Sequence, residues 1–549
     1  MAILQFAGKH RRDQIGFVDE DPPEEAVKRL TELGGYELYR FEESHLTDLG
    51  KLATTGAVIF RQAEERPSKI LQTLERYATT LLWHDCRVFV QPVPALPGAN
   101  GPTFRNLVVN ALNTLKLPPS GLSENDEKTF SEWLEPNERR LTPCVHVLER
   151  PGIWSDVAVL LRNNPAGDPP RHDLEIDAID SDRKPLRLTP EQEILLRRAF
   201  SNCTSIQLVG LKNGLSKVLT FRVFAHLLDL DGAVGSEWPF LYFVKIGARG
   251  KISKEYLAYQ ANALELIPYH LGPRLRLDRC ALGHAQGIIV SDYVSGAEPL
   301  RDCARDGRAV PVIANLFNAT LWAWRNNAKP DQMPLQEYLS RKMSLPIPDH
   351  RKPLIDKYGA SRSPEELKRM FMAADSQPVL VGVIHGDLHA TNVLVRGSDA
   401  IVIDFEKVES RAPLLWDMAS LEGGLFVDGF IGDHRSGPDV LKSVECLYQA
   451  AAFEGDIVPC HPSDNSTWFF DCVRQIRMQA KQIELAPRQY ALALAVALLR
   501  KACNVEDFRE DRTREATLSR EDVRALAYVL SERILVGMSR GDGTQNTAP

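Results

Sequence analysis

Three things are scarce in this chain of 549 residues. Cysteine is scattered: nine residues, with no C-x-x-C pair and no short-spaced Cys/His cluster. That spacing argues against a zinc site and against a disulfide framework. The odd count and the absence of a secretory leader predict a reducing, cytoplasmic setting. Long apolar runs are missing as well. The longest, 490–499 (Y-A-L-A-L-A-V-A-L-L), is about half of a bilayer span and reads as a buried helix. Positive charge is not in excess: 66 Lys and Arg stand against 73 Asp and Glu, a formal net charge of −7. A broad nucleic-acid surface is therefore not expected. Neither nucleic acid nor membrane is an expected partner. Internal repeats and long low-complexity segments are also lacking, and only the tail 541–549 should fray.

What remains is an ordinary globular composition, 44% hydrophobic and 25% charged. The length exceeds one core, so two or three domains are expected. The most informative stretch is 383–395 (V-I-H-G-D-L-H-A-T-N-V-L-V), followed by 401–406 (I-V-I-D-F-E). It reads as strand, polar loop, strand and acidic turn. His385, Asp387, Asn392 and Asp404 have the spacing used in kinase-type phosphoryl transfer. The transferring group carries spread negative charge, so the protein must supply cations. Mg²⁺ prefers oxygen ligands, usually one or two carboxylates with phosphates and waters. Asp404 is the candidate charged ligand and Asn392 the neutral one. Asp387 is the candidate proton acceptor at the acceptor hydroxyl, and His385 a strut for the loop. Loops are also rich in Asp and Asn for turn reasons alone. Here the full pattern coincides with apolar runs on both sides.

The residues 385–392 (H-G-D-L-H-A-T-N) with 403–406 (I-D-F-E) resemble the aminoglycoside phosphotransferase and choline kinase branch of the kinase-like fold. His-Gly-Asp and Asp-Phe-Glu separate them from ordinary protein kinases. The segment 411–422 (R-A-P-L-L-W-D-M-A-S-L-E) is similar to that branch too, which implies that Asp417 buttresses the loop. The resemblance covers about residues 195–540. It implies ATP and Mg²⁺, and an upstream lysine gripping the α- and β-phosphates with a glutamate partner. Lys245 on the strand-like 239–247 fits. Glu255 is the first choice of partner and Glu265 the second, on a helix expected after Ser253. The segment 205–223 reads as a hairpin about Asn213 and Gly214. Backbone around Gly214, Leu215 and Ser216 could cradle phosphates, although a plain hairpin is equally consistent. The strand and joint 287–296 would place Tyr293 and Val294 against the adenine.

Residues 1–95 alternate strand and helix, which argues a doubly wound parallel α/β sheet. The unit resembles a response-regulator receiver, with Asp19, Glu20 and Asp21 where receivers keep Mg²⁺-binding acids. Arg61 stands where the phosphate-accepting Asp should be, and no Lys ends the strand at Cys86. The resemblance is therefore to a degenerate receiver, unless those acids are simply a solvated loop. Residues 96–190 read as a connecting subdomain with a mobile acidic stretch, 173–183. An α+β bilobal kinase-like part follows, with its small lobe at 191–290 and a helical large lobe at 291–540. Two functions follow from this reading. One is an ATP- and Mg²⁺-dependent phosphotransferase acting on a small molecule or protein. The other is a nucleotide-binding pseudokinase-like switch whose receiver-like domain docks a protein partner.

Overall fold

The computed structural model describes residues 14–34, 36–47, 51, 55–61, 72–73, 76–77, 86–91, 145–147, 154–163, 171, 173–211, 218–227, 238–282, 286–343, 346–374, 378–454, 466–504 and 518–541. Gly214, Leu215 and Ser216 lie outside them, as do the tail 542–549, the helix expected at 104–115 and most of the helix expected at 68–80. The loops expected at 97–102, 117–122 and 163–170 fall wholly or largely outside as well. The chain divides into two compact units, 1–256 with 274–293, and 257–273 with 294–549.

The first unit holds two sheets. Five strands, β1 (Gln14–Val18), β2 (Glu37–Phe41), β3 (Thr55–Arg61), β4 (Arg87–Gln91) and β5 (Val145–Val147), run in the order β2-β1-β3-β4-β5. All pairings are parallel. β3 and β4 are buried almost end to end, as strands of a parallel sheet covered on both faces must be. The order is the doubly wound one that flavodoxins and receivers share. It fixes the fold class and leaves a receiver identity open. The sheet continues past residue 95. β5 adds a strand, and the Trp154–Asn163 helix packs Trp154, Val157, Ala158 and Leu161 into the same core as Phe17 and Ile59. At the carboxyl ends of the strands Arg61 donates to Glu20 Oε2 at 2.9 Å and to Gln91 Oε1 at 3.0 Å. A guanidinium thus joins the ends of three chain segments.

The second sheet has β6 (Glu175–Ile179), β7 (Cys203–Gly210), β8 (Leu219–Leu227), β9 (Phe240–Ala248), β10 (Ala281–Leu282) and β11 (Gln286–Asp292), in the order β10-β11-β9-β8-β7-β6. The acidic stretch 173–183, expected to be mobile, instead supplies β6. It pairs parallel to β7 because Leu174, Ile176 and Ala178 alternate toward the core while the acids face out. The Pro190–Ala199 helix covers this core, started by a capping box between Thr189 and Gln192. The Arg249–Asn262 helix begins earlier than expected and buries Ile252 and Tyr256 against Ile289 and Cys280.

The second unit is mostly helical, with two small antiparallel sheets. One is β12 (Glu298–Pro299), β15 (Val393–Arg396) and β16 (Asp399–Val402). The other is β13 (Lys329–Asp331), β14 (Val379–Ile384) and β17 (Glu409–Pro413). The apolar run at 490–499 forms most of the buried Gln489–Cys503 helix, which packs on the almost wholly buried Leu415–Phe430 helix. Between them Glu422 accepts from Arg477 at 2.7 and 3.1 Å and from the Tyr490 hydroxyl at 2.7 Å. Among the described residues no helix is long and apolar enough to cross a membrane. One departure from the cysteine reading is Cys446, which is disulfide-bonded. Scattered spacing argues against a framework of bridges but not against a single pair. Six other described cysteines are free and buried.

Candidate active site

In the first unit the site residues lie on β9 and the helix after it. Lys245 is central in the sheet, between β8 and β11. Its Nζ meets Glu255 Oε2 at 2.7 Å, with side chains 12% and 7% exposed. Burying two charges costs several kcal/mol per ion unless they pair closely. The structure selects Glu255 over Glu265, which is exposed and lies past the end of the helix. Tyr293 ends this unit, and its amide donates to Leu241 O at 3.3 Å. Val294 opens the other unit.

In the second unit the loop 385–392 leaves β14 and returns as β15. β14 and β15 are rich in valine, which suits half-buried strands. The turn between them depends on Gly386, whose φ is +76°. A Cβ there would lie 2.2 Å from Lys407 O. The loop is clamped from below by Asp417. Its Oδ2 accepts from His385 N at 2.6 Å and its Oδ1 from Gly386 N at 2.9 Å. The neighbouring Trp416 donates to Gly386 O at 3.1 Å. Burial pushes the Asp417 carboxyl up to about 6, with His385 and the two amides pulling it back. His385 is fully buried, and its Nε2 meets Ile403 O at 2.9 Å.

Asn392 is held by both ends. Its Nδ2 donates to Asp387 O at 3.1 Å, and its own carbonyl accepts from Ile403 N at 3.0 Å. The side-chain oxygen is the candidate ligand atom. Asp404 follows Ile403 directly, with φ 67° and ψ 78°. That left-handed backbone costs a non-glycine residue about 1–2 kcal/mol, and aspartate tolerates it better than most. The donor set of one amide oxygen and one carboxylate suits a hard cation that completes its shell with phosphates and water.

Two cations that sequence reasoning passed over sit on Asp387. Lys407 Nζ donates to its Oδ2 at 3.0 Å, and Arg500 donates to its Oδ1 at 3.2 Å. Burial raises the carboxyl, and Arg500 and Lys407 more than reverse that, holding it well below the usual carboxylate range. Arg500 also lies over the Trp416 ring at 5.7 Å. The available signal was the Arg-Lys pair closing a long apolar helix, and the lysine just after Asp-Phe-Glu. His389 is lowered to about 4 by burial and Lys501, and it is neutral at pH 7. Its Nδ1 meets Thr391 Oγ1 at 2.8 Å.

Residues 242–421 match the phosphotransferase enzyme family. The match takes in β9 from Tyr242 onward, the loop 385–392, Asp404 and Asp417. Residues 362–503 also match a family described as ternary complex associated domain 9. No curated protein matches the chain. Among solved structures, an amicoumacin kinase in complex with AMP-PNP, Ca²⁺ and Ami is 12% identical. It covers 60% of this chain and 88% of its own, with a TM-score of 0.32. An aminoglycoside phosphotransferase, APH(4)-Ia, is 12% identical, covers 62% and 96%, and scores 0.35. A glucosamine kinase with glucosamine, ADP and phosphate is 12% identical, covers 59% and 94%, and scores 0.30. Likeness this distant assigns no substrate to the chain.

Proposed function

We propose that the chain is an ATP- and Mg²⁺-dependent phosphotransferase acting on an acceptor hydroxyl. The observation that carries this reading is the 385–392 loop, built as a rigid platform. Asp417 takes both amides at its start, and Asn392 is tied to Asp387 near its end. A loop that only turned the chain would not require a buried aspartate beneath it. Lys245, aligned by Glu255, binds the nucleotide phosphates. Asn392 and Asp404 would hold the metal, which would supply charge neutralisation on the phosphates when bound. Asp387 orients the acceptor hydroxyl and takes its proton. The acceptor oxygen bonds to the γ-phosphorus, and the bond to the β–γ bridging oxygen breaks with its electron pair leaving on ADP. Most of the rate gain comes from positioning and fixed charge.

The test is incubation of the full chain with γ-labelled ATP, Mg²⁺ and a metabolite extract. The reading requires label on a discrete product, lowered at least about 10²-fold in Asp387→Asn. Label that appears equally with Asp387→Asn sinks it.

The second reading, a nucleotide-binding switch, draws on one observation. Both carboxylate oxygens of Asp387 are engaged by Lys407 and Arg500, which is a poor resting state for a proton acceptor. In that reading the first sheet, with Arg61 at its acceptor position, is the docking element for a protein partner. ATP binding with no transfer to any product would favour it.

A further inference from the structure

We propose that the acceptor carries an anionic group, a phosphate or a carboxylate, which Arg500 and Lys407 recognise beside Asp387. This deepens the phosphotransferase reading and rests on it. The argument begins with the helix Gln489–Cys503, buried over most of its length. An arginine at the end of such a helix ordinarily turns to water. Arg500 instead lies over Trp416 at 5.7 Å and reaches Asp387, with its side chain only 25% exposed. A guanidinium held over an indole and on a carboxylate has lost rotamer freedom before any ligand arrives, so it binds with less entropy still to lose.

The hydrogen bonds point the same way. A guanidinium has five N–H donors and an ammonium three. Arg500 uses one, at 3.2 Å, and Lys407 one, at 3.0 Å, among the described residues. Both are longer than the roughly 2.7–2.9 Å of a strong charge-assisted bond. Two cations therefore share one carboxylate at loose distances, with donors to spare.

One carboxylate does not balance this group, and a ligand anion would. A forked arginine matches the geometry of a phosphate or carboxylate. An anion held by Arg500 and Lys407 would seat the acceptor beside Asp387, the carboxylate that both already contact. The same arrangement disfavours a cationic acceptor, which would meet two like charges beside the reacting oxygen.

The test uses one hexopyranose skeleton in four charge states: glucose 6-phosphate, glucuronate, glucose and glucosamine. Binding of each to the full chain is measured by calorimetry without nucleotide, at fixed ionic strength. The same four are then offered as acceptors with γ-labelled ATP. The expected order is phosphate or carboxylate ahead of glucose, with glucosamine last. Arg500→Gln should weaken the anions by about tenfold or more and flatten the order, while Arg500→Lys keeps part of it. Circular dichroism and melting of each variant check that it is folded. Three results overturn the inference: no preference among the four probes, glucosamine bound as tightly as the anions, or anion binding displaced by ATP. The last would give the two cations to the nucleotide phosphates. Anion binding that depends on Arg500, with no label moved from ATP to any product, leaves the anion site standing and removes the phosphotransferase reading instead.

Discussion

At the scale of single residues, the site depends on a few groups held where their neighbours dictate. Asp387→Asn should lower transfer by about 10²–10⁴-fold, the usual contribution of a positioned acid or base, with ATP affinity kept. Separate titration and single-turnover measurements check both halves. Gly386→Ala forces a Cβ onto Lys407 O and a strained φ, so unfolding in urea should show a loss of at least about 2 kcal/mol. Asp417 makes a pH prediction with a definite sign. Its folded pKa, raised to about 6 by burial, lies above the ordinary value of 3.8. Between those values the folded state holds a proton that the unfolded chain has lost. Its contribution is therefore full below about pH 4 and lost as pH rises through 6, at ~1.4 kcal/mol per unit. Stability against pH for the parent, minus that for Asp417→Asn, should fall over this window and flatten above it. A difference that rises instead contradicts the assignment.

At the scale of elements, charge pairs inside the apolar layers set what can be changed. Arg477 and Glu422 are 5% and 0% exposed and join the Thr467–Lys481 helix to the Leu415–Phe430 helix. Arg477→Leu leaves Glu422 buried with only the Tyr490 hydroxyl. A loss of about 3–5 kcal/mol is expected, and adding Glu422→Met should restore much of it. Chemical denaturation of the two variants decides. The strands around the loop were legible from the sequence because valine and isoleucine runs mark buried strands whatever surrounds them. The parallel order of the first sheet was legible for a similar reason, from strand and helix in alternation. Arg500 and Lys407 were not. Each is an ordinary cation in its own segment, and only the packing of a helix more than a hundred residues downstream brings Arg500 to Asp387. β6 was missed because its acids read as a solvated stretch, although alternate positions carry Leu174, Ile176 and Ala178. β5 was missed because it is three residues long and far from its sheet in sequence.

For the whole molecule, the two units carry different halves of the proposed machinery. Lys245 and Glu255 are in one, and Asp387, Asn392, Asp404 and Asp417 are in the other. Mg²⁺-ATP at about a hundred times its dissociation constant should stabilise the folded chain by about 2.7 kcal/mol. The rise in melting temperature should shrink in Lys245→Ala and persist in Arg61→Ala, which alters only the first sheet. A shift lost in Arg61→Ala would mean that the first sheet takes part in nucleotide binding. The central claim is that metal-assisted nucleotide binding and proton acceptance belong to different residues of one loop and turn. It is tested most directly by following ATP binding and γ-label transfer together in Asp404→Ala and Asp387→Asn. The account predicts that Asp404→Ala loses both and Asp387→Asn loses transfer alone. Transfer at the parent rate in either variant would contradict it.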